Sequence, residues 1–308
     1  MKDFTNFGIK RRVFPECNYN AVWYNLKTLR LGTGVATELP ADQAEFYDVA
    51  LGTVCTTGKC PFCYVASNPK GEFYQDISET WRKWMNTFWE KRKDEVVFTN
   101  KMYQIAIGST SEPTEHPEFC DFLKAVYDTN VVPNYTTNGV LIAQDTDLSE
   151  RILEATRKYV GGVAVSFGNT HLHASAKKAV KKLLDKGNCH VNIHHIISDK
   201  KSVDNFLTIQ SKYGSEIKYH VLLPLMPAGR STKGIEDGVF EYLEQKIKEK
   251  DIKNIAFGAH FVDYLRNSKI KTWLYEPESF SKNILLKKDK IVITPSSFNL
   301  TPIKIINL

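Results

Sequence analysis

Three cysteines lie close together in the first third of the chain. Four residues separate Cys55 from Cys60, and two separate Cys60 from Cys63. Thiolates in so short a loop can converge on one metal centre, and Gly58 gives the first spacer the freedom to turn. A structural zinc site needs four protein ligands, and the nearest histidine along the chain is His116. A [4Fe–4S] cluster held by three cysteines leaves one iron open for a small molecule. The spacing alone leaves both kinds of metal centre open.

Polar and flexible residues follow several β-rich runs of the sequence. Gly108-Ser-Thr-Ser-Glu112 comes after the second run, and Asn138-Gly139 after the third. Ser166 lies within the fourth run and His194 within the fifth. Neighbouring side chains of a strand point to opposite faces, so only one of His194 and His195 can face inward. Ser166 and His194 are equally compatible with satisfied core positions. The sixth run ends in Leu222-Leu-Pro-Leu-Met226-Pro-Ala-Gly229-Arg230, where Arg230 could pair with an anion or lie on the surface.

The elements that must position these residues alternate along the chain. Strands are predicted at 46–51, 103–107, 132–136, 162–167, 190–197, 217–223 and 254–257. Helices are predicted at 77–92, 117–129, 148–158, 174–186, 202–213 and 235–248. This alternation indicates βαβ units and a parallel sheet with its functional groups at the C-terminal ends of the strands. Periodicity alone does not decide between a partly closed barrel and an open, doubly wound sheet.

Composition limits the class of protein. The chain has 308 residues, 42% hydrophobic and 25% charged, with a formal net charge of +6. These values exclude a disordered or collagen-like chain. No apolar run approaches the roughly 20 residues that cross a bilayer, and residues 1–8 lack an apolar signal region. We therefore expect a cytoplasmic protein with no membrane partner, whose scattered Cys17, Cys120 and Cys189 are small buried side chains.

The order of these motifs resembles that of the radical S-adenosylmethionine (radical SAM) enzymes. The cysteine loop after the first strand resembles the family's cluster motif, although the family's usual spacing has three residues where this chain has four. The resemblance implies an α/β fold, a partial (β/α)₆ TIM-like barrel. It further implies an N-terminal extension at 1–44, the core barrel at 45–230, and a C-terminal helix, last strand and small appendage at 231–308. It covers roughly residues 45–230.

The resemblance also implies cofactors and the residues that hold them. A [4Fe–4S] cluster would bind Cys55, Cys60 and Cys63, and S-adenosylmethionine would occupy the open iron. The residues implied for S-adenosylmethionine are Phe62, Gly108, Ser109, Ser111, Glu112, Asn138, Ser166, His194 and Met226. Reductive cleavage of the cofactor would give a 5′-deoxyadenosyl radical that abstracts hydrogen from a substrate, with flavodoxin or ferredoxin as an electron donor. The sequence identifies no catalytic residue.

The C-terminal region resembles the cysteine-rich SPASM appendage of peptide-acting members in outline only. Glu276, Pro277 and Ser296 stand where that pattern would place cysteines, and no cysteine follows Cys189. We therefore expect no second cluster. A peptide or protein substrate is favoured, and modification of nucleic acid is the alternative. The extra residue before Cys60 also keeps open a non-catalytic, metal-binding barrel.

Overall fold

The computed structural model describes most of the chain. The described residues are 9–14, 19–25, 30–34, 44, 46–92, 95–98, 102, 104–168, 170–252, 254–261, 264, 281–297 and 299–308. Cys17 and residues 265–280, which include Glu276 and Pro277 of the predicted appendage, lie outside them.

The described elements alternate as the sequence predicts. The strands are β1 (Ile9–Phe14), β2 (Tyr19–Asn25), β3 (Arg30–Gly34), β4 (Phe46–Ala50), β5 (Trp89–Arg92), β6 (Glu95–Phe98), β7 (Gln104–Ile107), β8 (Val132–Thr137), β9 (Gly162–Ser166), β10 (His190–Ile197), β11 (Tyr219–Pro224), β12 (Ile255–Phe257), β13 (Ser281–Lys287), β14 (Lys290–Thr294) and β15 (Lys304–Asn307). The helices are α1 (Ile77–Asn86), α2 (Phe119–Asp128), α3 (Val140–Ala143), α4 (Asp147–Tyr159), α5 (His173–Lys182), α6 (Lys200–Tyr213) and α7 (Val239–Glu249).

One large sheet organises the molecule. Within the described residues it has ten strands in the order β12-β11-β10-β9-β8-β7-β4-β13-β14-β15. The strands from β12 through β4 to β13 are parallel, and β14 and β15 continue antiparallel. The sheet does not close, so the fold is an α/β fold consistent with the predicted partial barrel.

The first predicted helix is too long. α1 ends at Asn86 because Thr87 closes a turn, its hydroxyl donating to the Trp84 carbonyl at 2.7 Å. Residues 89–92 form β5, which pairs with β6. Trp81 and Trp84 pack in the core as helix residues, whereas Trp89 lies beyond the helix and is 52% exposed.

The C-terminal segment joins the main sheet. β13 lies parallel to β4, with Asn283 opposite Asp48 in register, and β14 folds back on β13. Ile284, Leu286 and Ile291 are fully buried in the same core as α1 and α2. The described part of the appendage is therefore an extension of the sheet at its β4 edge.

Candidate functional site

A cavity of about 1090 Å³ opens where the parallel strands end. Its wall includes all three cysteines of the triplet. It also includes every residue that the sequence assigns to S-adenosylmethionine: Phe62, Gly108, Ser109, Ser111, Glu112, Asn138, Ser166, His194 and Met226. The fold therefore brings the predicted residues to one place, as expected for the C-terminal edge of a parallel sheet.

The cysteine triplet carries half-buried thiols on the loop after β4. Burial raises the pKa of the Cys55 thiol, and a hydrogen bond with Thr57 opposes that shift. The Thr57 hydroxyl oxygen lies 3.2 Å from Cys55 Sγ and accepts from Asn138 Nδ2 at 3.1 Å. The spacer between Cys55 and Cys60, which carries the extra residue, is thus hydrogen-bonded to the turn that follows β8.

The donor set fits a cluster better than a single ion. Among the described residues, no three His, Cys, Asp or Glu side chains converge closely enough to hold one metal ion. A cubane separates its ligand sulfurs more widely, because each thiolate binds a different iron. Three thiols on one cavity wall suit that geometry.

Gly58 is required for packing and not for an unusual backbone angle. It is absent from the residues with positive φ, contrary to the expectation that its flexibility absorbs the longer spacer. A Cβ at this position would lie 2.8 Å from Pro69 Cδ and 2.9 Å from the Cys55 carbonyl oxygen. Close approach of the loop to itself therefore selects glycine here.

Two side chains fasten the cysteine loop to the barrel. The Glu115 carboxylate accepts from the Thr56 backbone N–H at 2.9 Å and from its hydroxyl at 2.5 Å. Arg230, after β11, donates from Nη1 to the Cys60 carbonyl at 3.1 Å and from Nη2 to the Ser67 carbonyl. The structure thus gives Arg230 a role that neither alternative drawn from the sequence included, because its guanidinium holds two carbonyls of the cysteine loop.

The Gly108–Glu112 turn is built around the buried Glu112 carboxylate. This group accepts hydrogen bonds from the Thr114 hydroxyl at 2.6 Å, the Thr137 hydroxyl at 2.7 Å and the Asn138 backbone N–H at 2.7 Å. Burial raises the pKa of the Glu112 carboxyl, and these hydrogen bonds lower it in part. Glu112 thus anchors the end of β7 to the end of β8.

One polar atom in this turn lacks a protein partner. The Ser109 hydroxyl is buried and makes no hydrogen bond with any described residue, although Ser109 lines the cavity. Its carbonyl accepts from the Tyr64 hydroxyl at 2.7 Å, and that hydroxyl also lies 3.1 Å from Ser297 Oγ. A polar ligand in the cavity would satisfy the orphaned hydroxyl.

His194 and His195 point to opposite faces of β10, as the alternation predicts. His194 lines the cavity beside Ser166, its partner in register on β9. Burial lowers the pKa of His194 to about 4, so its imidazole is neutral at physiological pH. His195 packs on the other face, where its Nε2 lies 3.0 Å from His220 Nδ1.

Sequence reasoning missed the polar groups deeper in the cavity. Asp48 in the middle of β4 lines the wall, as do three amides on the amino-terminal halves of their strands, Gln104, Asn134 and Asn192. Burial raises the pKa of Asp48 to about 7. The usable signal was a carboxylate in the middle of a strand otherwise suited to a core.

No protein-family model matches the sequence, and no curated protein sequence matches it. Similar solved structures include Streptococcus suis SuiB bound to precursor peptide SuiA. That match has 16% identity and a TM-score of 0.58, and covers 83% of this chain and 60% of SuiB.

This chain has the fold of SuiB. SuiB bound to S-adenosylmethionine matches with 16% identity and a TM-score of 0.57, over 82% of this chain and 60% of SuiB. The chain thus spans about 60% of the length of SuiB. At this identity the similarity establishes the fold alone.

No helix in the described part of the chain has the length and apolar character that crossing a membrane requires.

Proposed function

We propose that this chain is a radical SAM enzyme that acts on a peptide or protein. Cys55, Cys60 and Cys63 would hold a [4Fe–4S] cluster, and S-adenosylmethionine would bind beside it. The observation that carries the proposal is that the three thiols line the same cavity as the turns predicted for the cofactor.

The chain's own groups would bind the cofactor and exclude water. When bound, the cluster and S-adenosylmethionine supply the electron and the C5′–S bond whose reductive cleavage gives methionine and a 5′-deoxyadenosyl radical. The Gly108–Glu112 turn offers the orphaned Ser109 hydroxyl to the methionine end of the cofactor. Ser166 and the neutral His194 stand together on the wall, where they would contact its nucleoside end. An enclosed site protects a reactive intermediate from solvent.

The proposed substrate class draws on the fold and on the charge of the chain. SuiB has this fold and has been crystallised with a precursor peptide, which favours a peptide here. The formal charge of +6 keeps nucleic acid as the second candidate. The site also needs a one-electron donor, for which flavodoxin or ferredoxin is suited. We place the enzyme in the cytoplasm, where reduced thiols persist.

The ligand assignment is tested by metal analysis of anaerobically reconstituted protein. We expect about four iron and four sulfide per chain, the content of one cubane. Cys55→Ala, Cys60→Ala and Cys63→Ala should each lose most of it. Cys120→Ala and Cys189→Ala are matched controls, because both cysteines pack against the apolar core. Stoichiometric zinc without sulfide, or equal dependence on Cys120, would contradict the assignment.

The activity is tested by incubating reconstituted protein with dithionite and S-adenosylmethionine. The expected product is 5′-deoxyadenosine. The variants Cys55→Ala, Cys60→Ala and Cys63→Ala should not form it. A full cluster without this product would favour the non-catalytic barrel instead.

A further inference from the structure

The cavity has a polar floor below the level of the cysteine loop. Asp48 is the third residue of β4, and its neighbour in register on β7 is Ala106, which in turn pairs with Asn134 on β8. Gly162 and Ala164 line the same cavity on β9. Small residues between the polar ones leave room for a ligand to reach the floor.

Asp48 is a half-buried carboxyl group on the cavity wall, with no partner among the described residues. No described residue donates a hydrogen bond to it or forms an ion pair with it, and its removal from water raises its pKa. Glu112, in the same cavity, accepts three hydrogen bonds at 2.7 Å or less. Since an unpaired buried carboxylate is costly, the contrast marks Asp48 as a group whose partner comes from outside the chain.

A second acceptor on the floor is also unsatisfied. Asn134 donates from Nδ2 to Gln104 Oε1 at 3.0 Å and to the Ile105 carbonyl at 3.2 Å. These bonds fix its amide orientation, and the remaining Oδ1 is buried with no partner. The floor therefore carries a carboxyl group whose ionised form matches a positively charged donor, beside a buried amide oxygen that has no partner among the described residues.

The wall between floor and mouth is largely apolar. Val221, Ile196 and Leu223 line it. An aliphatic chain passing along these side chains would carry a charged end to Asp48, as long cationic side chains do when they cover apolar surface.

We propose that Asp48 binds the ammonium or guanidinium end of an aliphatic arm of the substrate. This inference rests on the proposed function, since it names what the substrate carries into the barrel. In a peptide substrate, the arm would be a lysine-like or arginine-like side chain. Asp48 would orient the substrate from below while the reacting carbon lies nearer the cysteine loop.

The test measures binding to the full chain without turnover. The probes are n-butylammonium, n-butylguanidinium, 1-butanol and butyrate, titrated by calorimetry and by NMR. We expect both cations to bind, the neutral and anionic probes to bind at least tenfold more weakly, and Asp48→Asn to weaken the cations at least tenfold. Asp145→Asn is the matched control, because Asp145 is an exposed carboxylate paired with Lys178 and Lys182.

A second readout uses the wild-type protein alone. At pH 6.5 the Asp48 carboxyl is largely protonated, because its pKa is about 7. A cation that binds the carboxylate must therefore release a proton, so the binding enthalpy should depend on the ionisation enthalpy of the buffer. Tyr64, His194, His260 and Lys282 also line the cavity, and loss of the proton release in Asp48→Asn assigns it to Asp48.

Several outcomes would overturn the proposal. The first is that the wild-type protein binds neither cation. The second is that butyrate binds as tightly as the cations do. The third is that Asp48→Asn binds the cations as tightly as the wild-type protein does. Should Asp48→Asn fail to fold, the wild-type proton release decides. The probes require no turnover. Failure of the cations to bind would therefore not contradict formation of 5′-deoxyadenosine, and failure to form 5′-deoxyadenosine would not contradict cation binding at Asp48.

Discussion

Arg230 holds the cysteine loop from 170 residues away in sequence. Its backbone N–H donates to the Cys63 carbonyl at 3.0 Å, in addition to the two guanidinium bonds to Cys60 and Ser67. The preceding Gly229 has a φ of 63° and lies so close to the Cys63 and Tyr64 backbone that a Cβ would collide with it. Arg230 is therefore a positioning residue for the thiols.

Replacing Arg230 by methionine should loosen that loop. The change keeps the backbone bond but leaves two half-buried carbonyls without their charged donor, which we expect to cost about 2 kcal/mol of unfolding free energy. Equilibrium denaturation measures this, and iron retained after gel filtration measures the effect on the thiols. Arg157 lies on the exposed face of α4, so Arg157→Met should change neither the free energy of unfolding nor the retained iron. Equal iron retention in the two variants would contradict the positioning role.

Gly58→Ala tests the packing explanation for the spacer. A Cβ 2.8 Å from Pro69 Cδ and 2.9 Å from the Cys55 carbonyl forces the loop apart, so we expect about 1–3 kcal/mol of destabilisation and weaker cluster assembly. Gly234→Ala is the control, because its Cβ would meet nothing nearer than 3.8 Å. If both variants assemble the cluster alike, close packing does not explain the glycine.

The sequence identified the cysteines but not Asp48 or the role of Arg230, for physical reasons. Three thiols in one loop are informative wherever the loop lies. The meaning of Asp48 depends on which face of β4 lines a cavity, and the partners of Arg230 are backbone carbonyls that carry no sequence signature. Such long-range contacts require the folded chain.

At the scale of elements, the seven predicted parallel strands are present with ends shifted by at most two residues. Alternating composition predicts them because buried parallel strands and amphipathic helices differ in period. β5, β6, β15 and the short helix α3 were not predicted, and they are short elements with weak periodicity. β1, β2 and β3 lie in the region predicted only as an N-terminal extension. The pairing of β13 with β4 joins residues more than 200 positions apart, which no local pattern reveals.

Leu286→Ala tests whether β13 belongs to the core. Leu286 is fully buried among the core residues, so its truncation should cost about 2–5 kcal/mol of unfolding free energy. The comparison is Ile305→Ala on β15, where the side chain is 48% exposed and the loss should stay below about 1 kcal/mol. Chemical denaturation measures both. A loss at Leu286 no larger than at Ile305 would make the C-terminal strands a loosely attached addition.

At the scale of the whole molecule, the sheet has two functions on its two faces. Its outer face packs against the helices through residues such as Val49, Ile105 and Val163, all fully buried. Its inner face carries Asp48 and His194, whose ionisation burial opposes in both cases. Burial of these two groups therefore lowers the free energy of unfolding by an amount that depends on pH. Packing of the apolar core outweighs this loss.

The pH dependence has a definite sign for Asp48. Burial raises its pKa from 3.8 to about 7. Between these two pH values the carboxyl group is protonated in the folded state and ionised in the unfolded state. Stability must fall as pH rises from about 4 to about 7. His194 and His220, whose pKa values burial lowers to about 4, act in the opposite sense and reduce stability as pH falls below their ordinary value of 6.5.

Asp48→Asn separates these contributions, because the histidines are common to both proteins and cancel in the difference. Asparagine has no proton to lose, so its stability relative to wild type should rise by about 3 kcal/mol between pH 5 and pH 8. Urea denaturation at four or five pH values measures the difference directly. Asp145→Asn should show no such rise, since pairing with Lys178 and Lys182 lowers the pKa of Asp145. A flat difference for Asp48→Asn would mean that water or a cation already reaches the floor of the barrel and compensates the carboxylate.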